Sequence, residues 1–393
     1  RQYSYMKLRN GSLRNYVPNH YELGYLLVAY GRKKYGEDIW RNITNDAVRF
    51  KPLFYPFQGS VKKNIGIPFD QFVNGAMSFY QTQWKSTANE KTDWLTQTGK
   101  NNLINYKYPC LAADGSLIVL KSSYTEIPSF YKLHTNGSEE KLAVKDISMD
   151  DYFSYKNGRI VYAAYEPDAR WGNREYQSIK LLDCITGEEK TILSHTRFFS
   201  PDISADGKRI TAVMTRHDSA FLLLLNVADG KLLRTVKEGD AVYAYPKFSA
   251  NEENLYWISR KGNGEMAINK QVVAGGEVKK IMPYSNRIIG FLQVQGDTLL
   301  FTTTHKGRDE VWAIIDGVKS RGPYRLAGYS TGIYQAVLQS TDTLIGAAFT
   351  ADGYRLGQFQ TQWEKVAISD ALADITVGDI YQKSDQQMLN GFP

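Results

Sequence analysis

The chain has 393 residues, of which 42% are hydrophobic and 23% charged. That balance excludes a disordered or low-complexity chain and leaves room for two or three domains. Its net charge of +7 lies wholly in the first quarter: residues 1–98 hold 14 Lys and Arg against 7 Asp and Glu, and the remainder 34 against 34.

This excess either faces an acidic partner or anionic headgroups or is a solvated basic face. The spacings of the nucleic-acid-binding modules are absent, so nucleic acid is not an expected partner. No apolar run reaches the ~18 residues that would predict a transmembrane helix. The first residue is Arg1 with no charged-then-apolar leader behind it, which reads as a mature or excised piece of a longer protein.

Residues 1–98 read as a small all-α segment. Asn19 is an N-cap with Glu22 three residues on and Pro18 ahead, and Gly36 stops the helix after Arg32, Lys33 and Lys34. The intervening LGYLLVAY is apolar on nearly every side, which predicts a buried helix. A second helix is expected near 37–49 and a third near 69–85, joined by KPLFYPFQ and a basic loop containing Gly and Pro. The hydrophilic STANEKTDWLTQTGKNN then reads as a link.

The string Tyr21-Glu22-Leu23-Gly24, an apolar helix, Tyr35-Gly36 and Asp38-Ile39-Trp40 resembles the segment after the metal site of gluzincin aminopeptidases. That resemblance implies a catalytic role for Tyr21, its hydroxyl helping zinc to stabilise the oxyanion of a tetrahedral intermediate. Aromatic-x-x-Gly on a buried helix is also ordinary packing. Zincin chemistry needs two histidines one helical turn apart with a glutamate between them. The five histidines are His20, His134, His195, His217 and His305, and no two stand closer than 22 residues. No metal site or cofactor is therefore expected in these residues, and zinc only in a longer parent.

From about residue 103 a unit recurs. Its first-turn anchors are Asp114, Asn157, Asp206, Glu252, Gly296 and Thr341, spaced 43, 49, 46, 44 and 45 residues apart. Second turns follow in HTNGSE, CITGEE, VADGKL and VAGGEV. Asp-Gly and Asn-Gly accept the positive φ that tight hairpins demand. Four short strands with their turns consume about 40–50 residues, the size of one propeller blade. Six anchors predict a mainly β fold: a six-bladed β-propeller of four-stranded antiparallel blades over residues 99–369. A sandwich or solenoid with the same turn chemistry is the alternative.

The phrase FSPDISADGKRITAV at 199–213 resembles the TolB-like propellers, and YPKFSANEENLYWIS repeats it loosely in blade 4. The resemblance implies a recognition platform or a filter attached to a peptidase, placed in the periplasm or cell envelope, with a protein or peptide partner. Blade 2 departs from the repeat through the insertion YEPDARWGNREYQS, residues 165–178. Loops longer than the repeat project from one face, so Arg170, Trp171 and Arg174 become candidate binding residues, packing against a neighbour being the alternative.

Two functions follow. One is an extracytoplasmic recognition or scaffold module of a larger envelope protein, inactive by itself. The other is the C-terminal part of a propeller-containing zinc metallopeptidase whose H-E-x-x-H lies upstream. GYSTG at 328–332 matches a nucleophile elbow, but no histidine follows His305, and Ser330 falls where the sixth blade begins. NGS at Asn10 and Asn136 and NIT at Asn42 are sequons by pattern. Cys110 and Cys184 read as buried free thiols, a disulfide being the alternative in an oxidising compartment. Residues 370–393 lack the blade pattern and read as a tail or linker to an envelope assembly.

Overall fold

The structure, a computed structural model, describes residues 3–13, 15–49, 56–84, 92–100, 102–216, 219–237, 239–317 and 322–367. The expected tail at 370–393 lies outside the described residues. The chain divides into two compact units, one of residues 1–91 with 100–103 and the other of 92–99 with 104–393.

The first unit is all-α: α1 (Tyr5–Asn10), α2 (His20–Tyr35), α3 (Ile39–Ala47), α4 (Pro56–Ile65) and α5 (Phe69–Trp84). Asn19 caps α2 as its type requires, its Oδ1 accepting from the Tyr21 N–H at 3.0 Å, and Gly36 leaves the helix at φ 101°. The α2 helix buries only one stripe, Leu23, Leu27 and Tyr30, against Phe72, Val73 and Ala76 of α5. Its other side leaves Tyr21, Tyr25 and Val28 exposed, which corrects the expectation of burial all round. Among the described residues α2 has α1, α3 and α5 as neighbours, and these cover only that stripe. Close approach supplies the rest: a Cβ on Gly31 would lie 2.8 Å from the Trp40 ring, and Trp40 Nε1 donates to the Val28 carbonyl at 2.9 Å.

A second correction is α4, where a loop was expected. Pro56 stands at its first position, where the missing N–H costs nothing, and Lys62 and Lys63 sit in its last turn. Val61 meets Ile39 and Ile43 of α3, and Ser60 and Lys63 bind the half-turned-in Asp46 at 2.7 and 2.8 Å.

The second unit is a six-bladed propeller, each blade an antiparallel meander. Blade 1 runs through Ile104–Leu111, Leu117–Ser123, Ser129–Leu133 and Glu139–Val144. Blade 2 takes Ser154–Lys156, Arg159–Pro167, Glu175–Asp183 and Glu189–Thr196. Blade 3 takes Phe198–Ile203, Arg209–Arg216, Ser219–Asn226 and Leu232–Val236. Blade 4 comprises Val242–Phe248, Asn254–Arg260, Met266–Val272 and Lys279–Ser285. Blade 5 comprises Ile289–Gln295, Thr298–His305, Arg308–Ile315 and Tyr324–Gly328, with Glu364–Lys365 added outside. All six predicted anchors fall in the turn between first and second strands, and the second-turn phrases fall between third and fourth.

Blade 6 has only three strands of its own: Ile333–Leu338, Thr343–Thr350 and Gly353–Gln360. Its fourth is Asp93–Trp94, inside the stretch expected to be a link, so the propeller begins earlier in the chain than residue 99. Trp94 pairs with Gly357, whose missing Cβ would stand 2.6 Å from Thr92 Cγ2. A strand from one end of the unit thus completes the sheet at the other and removes an open edge.

The core is six apolar layers, each straddling two adjacent blades. Tyr162 and Phe130 pack between blades 1 and 2, Trp257 and Leu222 between 3 and 4, and Trp312 and Tyr256 between 4 and 5. Val337 and Ile345 on Tyr106 and Val119 close the circle between 6 and 1. Second strands such as RIVYAA are apolar without alternation because both faces are buried: Ile160 and Tyr162 toward blade 1, Val161 and Ala163 toward blade 3.

Trp94 holds the closure through the Arg355 guanidinium 4.3 Å from its ring and the Tyr329 ring at 5.8 Å. Trp94→Ala is expected to lower stability in urea by about 1–3 kcal/mol, the sum of a partly buried cation–π contact and an aromatic pair. An unchanged urea midpoint would show that the added strand contributes nothing to the circle.

Candidate functional site

The innermost strands carry the site. In five of the six blades this strand breaks register with its neighbour at one place, and a non-glycine residue there adopts a left-handed backbone. These are Tyr108 (φ 53°), Ser200 (φ 47°), Tyr245 (φ 49°), Phe291 (φ 54°) and Gln335 (φ 50°). Such a conformation costs an L-residue roughly 1–2 kcal/mol. A bulge re-aims its side chain, here out of the ladder.

The result is a ring of aromatics. Tyr108, Tyr152, Tyr245 and Phe291 form a closed cycle, with centroids separated by 5.7, 5.4, 5.6 and 5.9 Å in turn. Gln335 joins from blade 6, accepting from the Tyr108 N–H at 2.9 Å. Burial pushes the Tyr245 hydroxyl up to about 12, so it stays neutral. The Tyr152 hydroxyl is fully buried and has no hydrogen-bond partner.

One step along the same strands, side chains line a cavity of about 630 Å³. It draws on the innermost strands of five blades, through Cys110, Ser154, Lys247, Gln293 and Val337, and on the first turns of blades 1 and 2. Its size lies inside the range of ~300–1,000 Å³ usual for ligand sites. Two lysines line it, Lys247, 2% exposed, and Lys156, and both face Asp202, which lies fully buried behind the lining. Asp202 accepts from the Phe248 N–H at 2.9 Å and from the Ser154 hydroxyl. Burial pushes its carboxyl up, but Lys247, Lys156 and these two donors outweigh that and hold it below the usual carboxylate range.

Both cysteines line the same cavity as free thiols. Burial pushes Cys110 up to about 11 and Cys184 to about 12, leaving neither a nucleophile at neutral pH.

The residues singled out from sequence lie elsewhere. In a meander, turns emerge alternately at opposite ends, and the cavity opens among first and third turns. Arg170, Trp171 and Arg174 sit on the turn between the second and third strands of blade 2 and therefore on the other face. There the two guanidiniums stand 5.2 and 5.6 Å from the Trp171 ring, which is 51% exposed, and Asp168 braces the turn through the Arg170 and Trp171 N–H groups. The three come together as one cluster.

Tyr21, in the first turn of α2, is 75% exposed with its ring 4.4 Å from that of His20. Two cavities of the helical unit, one lined by Tyr5, Lys62 and Phe69 and the other by Tyr30, Lys34 and Phe79 among others, do not include it. Ser330 of GYSTG lies between the last strand of blade 5 and the first of blade 6.

No protein-family model matches the chain, and no curated protein sequence does. Among solved structures, TolB from Acinetobacter baumannii is similar at 14% identity and a TM-score of 0.43, over 76% of this chain and 72% of that one. An oligogalacturonate lyase in complex with manganese is similar at 12% identity and 0.47, over 68% and 92%. The propeller domain of the trilobed protease of Pyrococcus furiosus is similar at 11% and 0.42, over 70% and 97%. The blade count rests on this chain's own strand pairings.

The axial residues were missed because no chemical motif marks them. A signal does exist: Tyr108-Pro109-Cys110, Ser200-Pro201-Asp202 and Tyr245-Pro246-Lys247 share one spacing, with bulge, proline and cavity-side residue in order. The phrase FSPDIS, valued for fold, thus contains the buried carboxylate.

Asp202→Asn strands two ammonium groups and should cost about 3–5 kcal/mol at neutral pH, as expected for breaking a buried ion pair. Because the folded carboxyl titrates below its unfolded value, its contribution is full above the ordinary carboxylate range and is lost as pH falls through the folded value. The stability gap between wild type and variant should therefore narrow below about pH 4. A gap constant from pH 7 to pH 3 would refute the ion-pair account.

Proposed function

We propose that the propeller is a recognition module that takes an extended peptide segment of a protein partner into its axial cavity. One observation carries this reading: five innermost strands turn both side chains and an unpaired sheet edge toward a single cavity. Each of these strands is hydrogen-bonded on one side only. Its remaining backbone groups suit the main chain of an incoming segment, as in strand addition to a sheet edge. Between them Val294 and Val337 offer apolar surface, and the Gln293 amide, which has no partner among the described residues, offers a donor and an acceptor.

An envelope location, with the module serving as a scaffold in a larger assembly, is supported by the likeness of FSPDISADGKRITAV to TolB-like propellers. No helix among the described residues is long and apolar enough to cross a membrane. The zinc-peptidase alternative is supported only by the Tyr21 segment and its exposed hydroxyl. The ligand set of that chemistry is absent from these 393 residues, no three His, Cys, Asp or Glu side chains converge among the described ones, and no catalytic step is assigned to Tyr21.

Random peptides selected on the chain should lose binding at least ten-fold to Gln293→Trp, which fills the cavity from a half-exposed position while leaving a cooperative melt. If selected peptides bind that variant as they bind wild type, the axial reading fails.

A further inference from the structure

We infer that the axial cavity recognises the free C-terminal carboxylate of its peptide. This deepens the reading above and rests on it. The centre holds two ammonium groups, of the buried Lys247 and the partly exposed Lys156, against the single buried carboxylate of Asp202, a local net charge of +1. Of the other charges lining the cavity, Asp114 and Lys132 pair with each other at 2.7 Å, and Glu140, more than half exposed, turns to the His134 ring at 3.1 Å.

The two ammonium groups are also poorly served. Lys247 Nζ has Asp202 Oδ1 and Ser154 Oγ, both at 3.4 Å, and the Tyr152 ring at 5.1 Å. Lys156 Nζ has the Phe248 carbonyl at 3.5 Å and Asp202 Oδ2 at 3.9 Å. Charge-assisted N–H···O bonds usually run about 2.7–2.9 Å. Asp202 accepts from the Ser154 hydroxyl, the Phe248 N–H and, at 3.4 Å, Lys247, while the six N–H groups of the two lysines find only long contacts. An added carboxylate would neutralise the excess and supply the missing acceptors.

The floor decides which carboxylate. The ring of Tyr108, Tyr152, Tyr245 and Phe291 closes the axis next to the lysines, so a chain cannot thread past it. A chain can enter and end there. A terminal carboxylate meets that geometry, whereas an acidic side chain would require the backbone to turn back within the cavity.

The test uses the full chain, immobilised, and a pool of random hexapeptides made once as free acids and once as C-terminal amides, with recovery read by mass spectrometry. The free-acid pool should be retained at least ten-fold better. Lys156→Met, at a partly exposed lysine, should level the two pools while keeping a cooperative melt, and Lys156→Arg should restore the difference. Equal retention of both pools by wild type, lost on Gln293→Trp, would leave the peptide site standing and overturn the carboxylate. Retention of neither pool would overturn both.

Discussion

The structure depends on a repeated local constraint, the left-handed bulge in the innermost strand. A propeller needs its inner strands close to the axis, where six sheets crowd together. A regular strand would send alternate side chains into the two interblade layers and none to the centre. By breaking register at Tyr108, Ser200, Tyr245, Phe291 and Gln335, the chain turns one residue inward in each of five blades. The backbone strain is offset by the aromatic contacts and interblade layers it permits.

That device sets up the site in two steps. The bulge residues Tyr108, Tyr245 and Phe291 join Tyr152 in the ring of aromatics, and the residues two positions on from the bulges, Cys110, Asp202, Lys247 and Gln293, are placed at the next level. Proline follows the bulge in blades 1, 3 and 4, where its missing N–H costs nothing because that side of the strand faces the axis. The buried Asp202, Ser154 and Lys247 come from three different blades, so the ion centre also ties blades 2, 3 and 4 together. Stability and the proposed recognition share these atoms.

The two faces differ in character. One opens on the polar cavity among the Asp-Gly turns. The other carries the Arg170–Trp171–Arg174 turn, whose two guanidiniums lie over a half-exposed indole. On the helical unit, the exposed Tyr21, Tyr25 and Val28 lie along one stripe of α2.

What the sequence determined by itself was the repeat. Turn residues that accept positive φ, set about 45 residues apart with apolar strands between, specify hairpins through local sterics, and local sterics are legible in any single chain. The N-cap at Asn19 and the stop at Gly36 were legible for the same reason. The strand Asp93–Trp94 was not, because two residues carry no periodicity and their partner lies more than 260 residues away. Nor was the one-sided burial of α2, which is decided by how few helices surround it. The Asp202–Lys247–Lys156 centre was written in three separate blades, and only closing the circle brings charges so distant in sequence within a few ångströms of one another.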